Sequence, residues 1–151
     1  MPDSQIETFD LIEALRESCA DVGGIALSRG VEFELTCQDG PLDIRGDRLF
    51  ITEAIKNLID NALKHGGENL SSVKVEMHEV DGYASITIGD DGKGLSPDQS
   101  EAAMGRFSQL DPSDESGLGL AIVASVAERH GGDLVINPAG QGASLTFRIK
   151  L

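Results

Sequence analysis

The chain has 151 residues, two cysteines, five phenylalanines, one tyrosine, no tryptophan and a formal net charge of −14. That length suits one domain with a real hydrophobic core, which Leu, Ile, Val and Ala must fill. The acidity tells against nonspecific binding to nucleic acid or to anionic membranes, both of which want basic patches. An anionic ligand would therefore be held by local donors and a metal ion. No apolar run approaches the roughly 20 residues that cross a bilayer, and the amino terminus lacks a signal-peptide pattern. Cys19 and Cys37 lie in apolar-periodic segments without metal-ligand spacing. They read as buried free thiols of a reducing compartment rather than as a disulfide.

In chain order, Gln5 to Phe9 suits a short edge strand. The spacing of Leu11, Ile12, Leu15, Cys19, Val22 and Ile25 predicts a helix from Leu11 to about Ser28, weakened by Gly23-Gly24. "VEFELTC" alternates, with Val31, Phe33, Leu35 and Cys37 on one face of a strand. "LDIRGD" is a second short strand, and Gly46-Asp47 caps a helix running to about Lys64 or His65. Strands at about 72–80 and 83–90 join at Asp81-Gly82, a strong hairpin signal. Residues 91–116 are rich in Gly, Ser, Asp and Pro, with Ser96-Pro97-Asp98-Gln99 as a capped start to a short helix. "GLGLAIVASVAERHGG" is an almost wholly apolar helix closed by Gly-Gly. "DLVIN" and "ASLTFRIKL" finish as strands around a glycine-rich turn. This order predicts a two-layer α/β sandwich, its mixed, mostly antiparallel sheet packed on about three helices. A Rossmann arrangement lacks its Gly-x-Gly-x-x-Gly turn, and Gly92-Lys93-Gly94 lacks the Ser or Thr of a P-loop.

Three stretches could carry chemistry. In "EAIKNLIDNALKHGG", Ile55, Leu58, Ile59 and Ala62 group on one helical face with Ile51, while Glu53, Asn57, Asp60, Asn61 and Lys64 share the other. An ordinary solvated face is one reading. Yet two asparagines one turn apart together cost about 1 kcal/mol of helix propensity relative to alanine, and their oxygens suit a hard cation such as Mg²⁺. In "ASITIGDDGKGL", Asp90 ends the apolar row Ala84, Ile86, Ile88 and is aimed inward, while Asp91 points away. Asp90 either caps an Asx turn or accepts from a ligand amino group, with Gly92 and Gly94 letting the backbone pass close. Gly117-Leu118-Gly119-Leu120 opens the apolar helix, where glycines serve either close helix–sheet packing or phosphate at a helix N-terminus.

Together, Glu53-x-x-x-Asn57-x-x-Asp60-Asn61-Ala62-x-Lys64-His65, Asp90-x-Gly92-x-Gly94, Arg106-Phe107 and Gly117-Leu118-Gly119-Leu120 occur in fixed order. The set resembles the N, G1, F and G2 boxes of the catalytic and ATP-binding domain of bacterial sensor histidine kinases. That superfamily, with the Bergerat ATP-binding fold, includes gyrase and the heat-shock chaperone ATPases. The resemblance covers nearly the whole chain and implies one catalytic domain over residues 1–151, with a mobile ATP lid at about 95–116. It implies Mg²⁺ at Asn57, Asn61 and Lys64 near the phosphates, His65 lining the nucleotide site and Asp90 on the adenine amino group. Gly117, Leu118, Gly119 and Leu120 would meet the phosphates, and Glu53 would help deprotonate the nucleophile.

The chain departs from the family in two ways. No Arg or Lys lies between Phe107 and Gly117, so either the lid closes weakly or Arg106 and Lys93 supply its cation. None of His65, His78 and His130 lies early in a long helix, where the family keeps its phosphoacceptor. The expectation is a monomeric cytoplasmic domain whose parent supplies the helical dimerisation hairpin and a sensor, with a response regulator downstream. An anti-sigma-type serine kinase and a degenerate docking module on the same fold are the alternatives.

Overall fold

The structure, a computed structural model, describes residues 5–65, 70–92, 115–137 and 142–151. Its elements in chain order are β1 (Ile6–Asp10), α1 (Leu11–Ser28), β2 (Glu32–Thr36), β3 (Asp43–Asp47), α2 (Arg48–His65), β4 (Ser72–Val80), β5 (Tyr83–Asp90), α3 (Glu115–Arg129), β6 (Asp133–Ile136) and β7 (Ser144–Lys150). Five strands form the main sheet in the order β2-β4-β5-β7-β6. The β2–β4 pair is parallel and the other three pairs are antiparallel. Strands β1 and β3 form a separate antiparallel ribbon. The sheet is therefore mixed and mostly antiparallel, and the described helices cover one of its faces, as the order of elements predicts.

Period-two alternation explains the two layers. Val73, Val75 and Met77 of β4, Ala84, Ile86 and Ile88 of β5, and Leu145, Phe147 and Ile149 of β7 are all buried under the helices. The opposite face is polar. There Thr87 and Thr146 share a 2.8 Å hydroxyl hydrogen bond, and Arg148 pairs with Asp133 and lies over the Tyr83 ring at 4.7 Å. The β4–β5 hairpin turns at Asp81 (φ 52°) and Gly82 (φ 82°), the paired left-handed conformations of a tight primed turn.

Helix α1 runs unbroken through Gly23-Gly24. Each interior glycine costs about 1 kcal/mol relative to alanine, but a buried stripe including Leu11, Leu15, Cys19, Val22 and Ala26 holds the helix down. The Asp10 carboxylate starts it, accepting from the Ile12 and Leu42 N–H groups at 2.9 and 3.0 Å. Gly30 (φ 71°) ends it in a Schellman motif, with the Val31 N–H on the Ala26 carbonyl and the Gly30 N–H on Leu27. Both cysteines are free. Cys19 is buried as expected, and burial beside Cys37 pushes its thiol up to about 12, whereas Cys37 is only half-buried.

Candidate functional site

Helix α2 is built on Asp47, whose Oδ1 accepts from the Phe50 N–H at 3.2 Å. Ile51, Ile55, Leu58 and Ile59 are fully buried and hold it in the core. The opposite face divides by residue type. Its charged members are paired as on a solvated face: Lys64 with Asp60 at 3.0 Å, and Lys56 with Asp21 at 2.8 Å and Glu53 at 4.0 Å. Asn57 and Asn61 are half-buried, and among the described residues neither carboxamide meets a hydrogen-bond partner. Helix propensity is spent there on two carboxamides that no described residue engages.

At the end of β5, two adjacent carboxylates meet opposite environments. Asp90 is half-buried at the end of the apolar row, and burial pushes its pKa up, against the pull of the Gly92 and Ala143 backbone N–H groups. Its Oδ1 accepts from the Gly92 N–H at 2.9 Å, so the Asx turn is present. An ionised carboxylate offers about four acceptor positions, so that one bond leaves room for a ligand donor. Asp91 turns the other way. Its Oδ1 accepts from the Ser71 and Ser72 N–H groups at 2.8 and 3.0 Å, and Oδ2 from the Ser71 hydroxyl. These donors hold its pKa down at about 2. Asp91 thus ties the start of β4 to the end of β5.

The topology directs the end of α2, the end of β5 and the start of α3 to one end of the sheet. Register pairs Asp90 with Val73, which follows α2 by a short stretch, so the last turn of α2 and the end of β5 share an edge. At the opposite edge, the Lys150 N–H donates to the His130 carbonyl, and the Asp47 N–H donates to His130 Nε2 at 3.1 Å. The end of α3 and the start of α2 therefore lie together, and the two packed helices run antiparallel. This directs the first turns of α3, with Gly117 to Leu120, towards Asp90. Along α2, at about 1.5 Å per residue, Glu53 stands about 16 Å from Lys64, with Asn57 and Asn61 between them.

Helix α3 runs from Glu115, two residues before the Gly117 expected from the sequence, so Gly117 and Gly119 lie in its first turns. The apolar stripe of Leu120, Val123, Val126 and Ala127 is buried, and that packing outweighs the poor helix propensity of glycine. Gly94, Arg106, Phe107 and the lid through residue 114 lie outside the described residues, as do the side chains of His65, Gly117, Leu118 and Gly119. Gly92 is buried. Among the described residues no group of three or more His, Cys, Asp or Glu side chains forms a metal cluster. Asn57 instead offers a single neutral oxygen, which fits a Mg²⁺ ion completed by water and phosphate oxygens.

Sequence reasoning missed Gly142. With φ 78°, it packs so closely on β5 that a Cβ there would stand 1.9 Å from the Asp90 carbonyl oxygen, while the Asp90 N–H donates to the Ala143 carbonyl at 2.9 Å. Only the glycine-rich turn before β7 hinted at it.

Residues 46–151 match the family of histidine kinase-, DNA gyrase B- and HSP90-like ATPases, which is well over half of the chain. The chain belongs to this family. Within the histidine kinase-like ATPases, it is 31% identical to the mycobacterial sensor histidine kinase MprB, with a TM-score of 0.75 and 97% of each chain covered. The nucleotide-free catalytic domain of histidine kinase ThkA shares the fold at a TM-score of 0.81, with 22% identity over 97% of this chain and 95% of that one. Among curated relatives, the methanogenesis regulatory histidine kinase FilI of Methanothrix harundinacea is 34% identical over 140 residues, 91% of this chain and 16% of that protein. Histidine protein kinase DivJ of Caulobacter vibrioides is 31% identical over 150 residues, 95% of this chain and 24% of that protein. The chain thus spans a quarter or less of these two relatives' length. Among the described residues no helix is long and apolar enough to cross a membrane.

Proposed function

We propose that this domain binds Mg·ATP and delivers the γ-phosphoryl group to a histidine on a separate dimerisation domain of a longer, cytoplasmically facing parent, with a response regulator downstream. The observation that carries this reading is the pair of carboxamides, Asn57 and Asn61, without partners among the described residues, on the polar face of the α2 helix whose last turn approaches the end of β5 and the half-buried Asp90. Asp90 accepts from the adenine amino group, and Gly92 admits the base. Asn61, Lys64 and His65 hold the phosphates from α2, and Gly117 to Leu120 meet them from the start of α3. Asn57 holds Mg²⁺, which neutralises phosphate charge when bound. Arg106, Phe107, Gly94 and Lys93 belong to the lid side, where the two cations replace the basic residue missing after Phe107.

Chemistry then consists of positioning and charge neutralisation. The acceptor imidazole attacks the γ-phosphorus, a P–N bond forms, the bond to the β-phosphate oxygen breaks, and ADP leaves. Glu53, exposed at the far end of the polar row, takes the imidazole proton. Incubating the domain with radiolabelled ATP and its parent's helical hairpin should label the hairpin with acid-labile phosphohistidine. Asn57→Ala should abolish that label, and label that survives the substitution would sink the metal assignment. Acid-stable phosphate would instead identify a serine kinase.

A further inference from the structure

Helix α2 is tethered at each end by the side chain of the residue that follows another helix. At its start, the Asp47 N–H donates to His130 Nε2, and His130 Nδ1 bonds the Val126 carbonyl of α3 at 2.8 Å. At its end, Arg29, the C-cap residue of α1, donates from its guanidinium to the Leu63 carbonyl. That carbonyl is one of the last four of α2, which have no partner within the helix. A cation there also faces the negative end of the helix dipole. Leu63 itself is buried, and the next residues are Lys64 and His65.

We propose that Arg29 is a positioning residue for the nucleotide site. By holding the Leu63 carbonyl it sets the rotation of the last turn of α2, so that Asn61 and Lys64 keep facing the edge occupied by Asp90. This rests on the nucleotide reading given above. Nothing in the four sequence boxes includes Arg29, which reaches α2 across 34 positions of chain. The two tethers differ in one respect. Arg29 acts beside the residues assigned to the phosphates, whereas His130 acts at the far edge, next to Gly46, where a Cβ would stand 2.8 Å from its ring. Loss of either tether loosens the fold. Only loss of Arg29 disturbs the ligand-facing turn.

The test is calorimetric titration of a non-hydrolysable ATP analogue with Mg²⁺ into the full chain and three variants, at a temperature where thermal melts show all of them folded. Arg29→Ala should weaken binding by about fivefold, because small misplacements of ligand-holding groups are costly. Arg29→Lys, which keeps one charged donor, should restore affinity to within about twofold of the unsubstituted chain. His130→Ala should lower the melting temperature yet stay within about twofold in affinity, since distant sites act independently. Unchanged affinity in Arg29→Ala, or an equal loss in His130→Ala, would overturn the positioning role. Absence of binding by the unsubstituted chain would defeat the nucleotide reading itself, and the role of Arg29 with it.

Discussion

The two ends of the antiparallel α2–α3 pair are built to different standards of completeness. At the far end the side chains that join the helices are bonded among themselves. The Asp47 carboxylate accepts from the Gln5 and Phe50 N–H groups, His130 uses both ring nitrogens, and α3 closes in a Schellman motif at Gly131 and Gly132. The cavity there, about 530 Å³, is lined largely by Ile6, Phe50, Ala121, Ile122 and Val126. At the near end, two carboxamides lack described partners and a carboxylate has its pKa pushed up by burial. Ordinary folding leaves few polar groups unmatched. Half-buried carboxamides on helix positions that favour other residues are what the proposed nucleotide site would engage.

Substitutions at the two ends should separate stability from binding. The largest effect is expected from the closely packed glycines, one at each end. A Cβ at Gly142 would stand 1.9 Å from the Asp90 carbonyl oxygen, and one at Gly132 would stand 1.8 Å from that of Arg148. Either glycine changed to alanine should cost about 3 kcal/mol in urea denaturation, through backbone displacement, with added left-handed strain at Gly142. In the surviving folded fraction, only Gly142→Ala should also impair nucleotide binding. Equal impairment by Gly132→Ala would erase the distinction between the ends.

Next in size is the pH dependence at Asp90. Its folded pKa lies above the ordinary 3.8, so the fold disfavours the charged form, and acidification through the raised value relieves that cost. In the proposed site the adenine amino group donates to the ionised carboxylate. Affinity for an ATP analogue should therefore fall on acidification, starting at a higher pH than an ordinary carboxylate would give. Asp90→Asn should bind weakly and without that dependence. A wild-type profile flat from pH 7 to about pH 4 would remove Asp90 from recognition.

Asp91 supplies the opposite sign. Its folded pKa of about 2 lies below the ordinary 3.8, so its stabilising contribution is complete above about pH 4 and is lost as the pH falls towards 2. Melting temperatures of wild type and Asp91→Asn should differ above pH 4 and converge near pH 2. The smallest effect is expected at Asn61. Asn61→Ala should raise stability by about 0.5 kcal/mol, through helix propensity, while nucleotide affinity falls. A loss of stability there would mean that the carboxamide serves the fold.

Much of this was legible in the chain. The inward direction of Asp90 followed from alternation after Ala84, Ile86 and Ile88, and the apolar and polar faces of α2 followed from helical spacing. The Asp81-Gly82 hairpin followed from turn chemistry. Helix α3 was legible from Gly117 and runs from Glu115, its glycines held in the helix by packing that comes from other elements. Gly142 was missed. Its constraint is imposed by β5, about 50 positions earlier in the chain, and no local pattern reports a backbone approaching from there.

Sequence alone determined the periodicities, caps and turns, and also the order of motifs that carries the family resemblance, because each depends on residues within a few positions of one another. Tertiary structure decided the pairing of β1 with β3 in a separate ribbon, the parallel pairing of β2 with β4, the opposite pKa shifts of Asp90 and Asp91, and the grip of Arg29 on Leu63. Those features depend on which distant groups share a small volume, where burial and donor geometry set the energy of each charge.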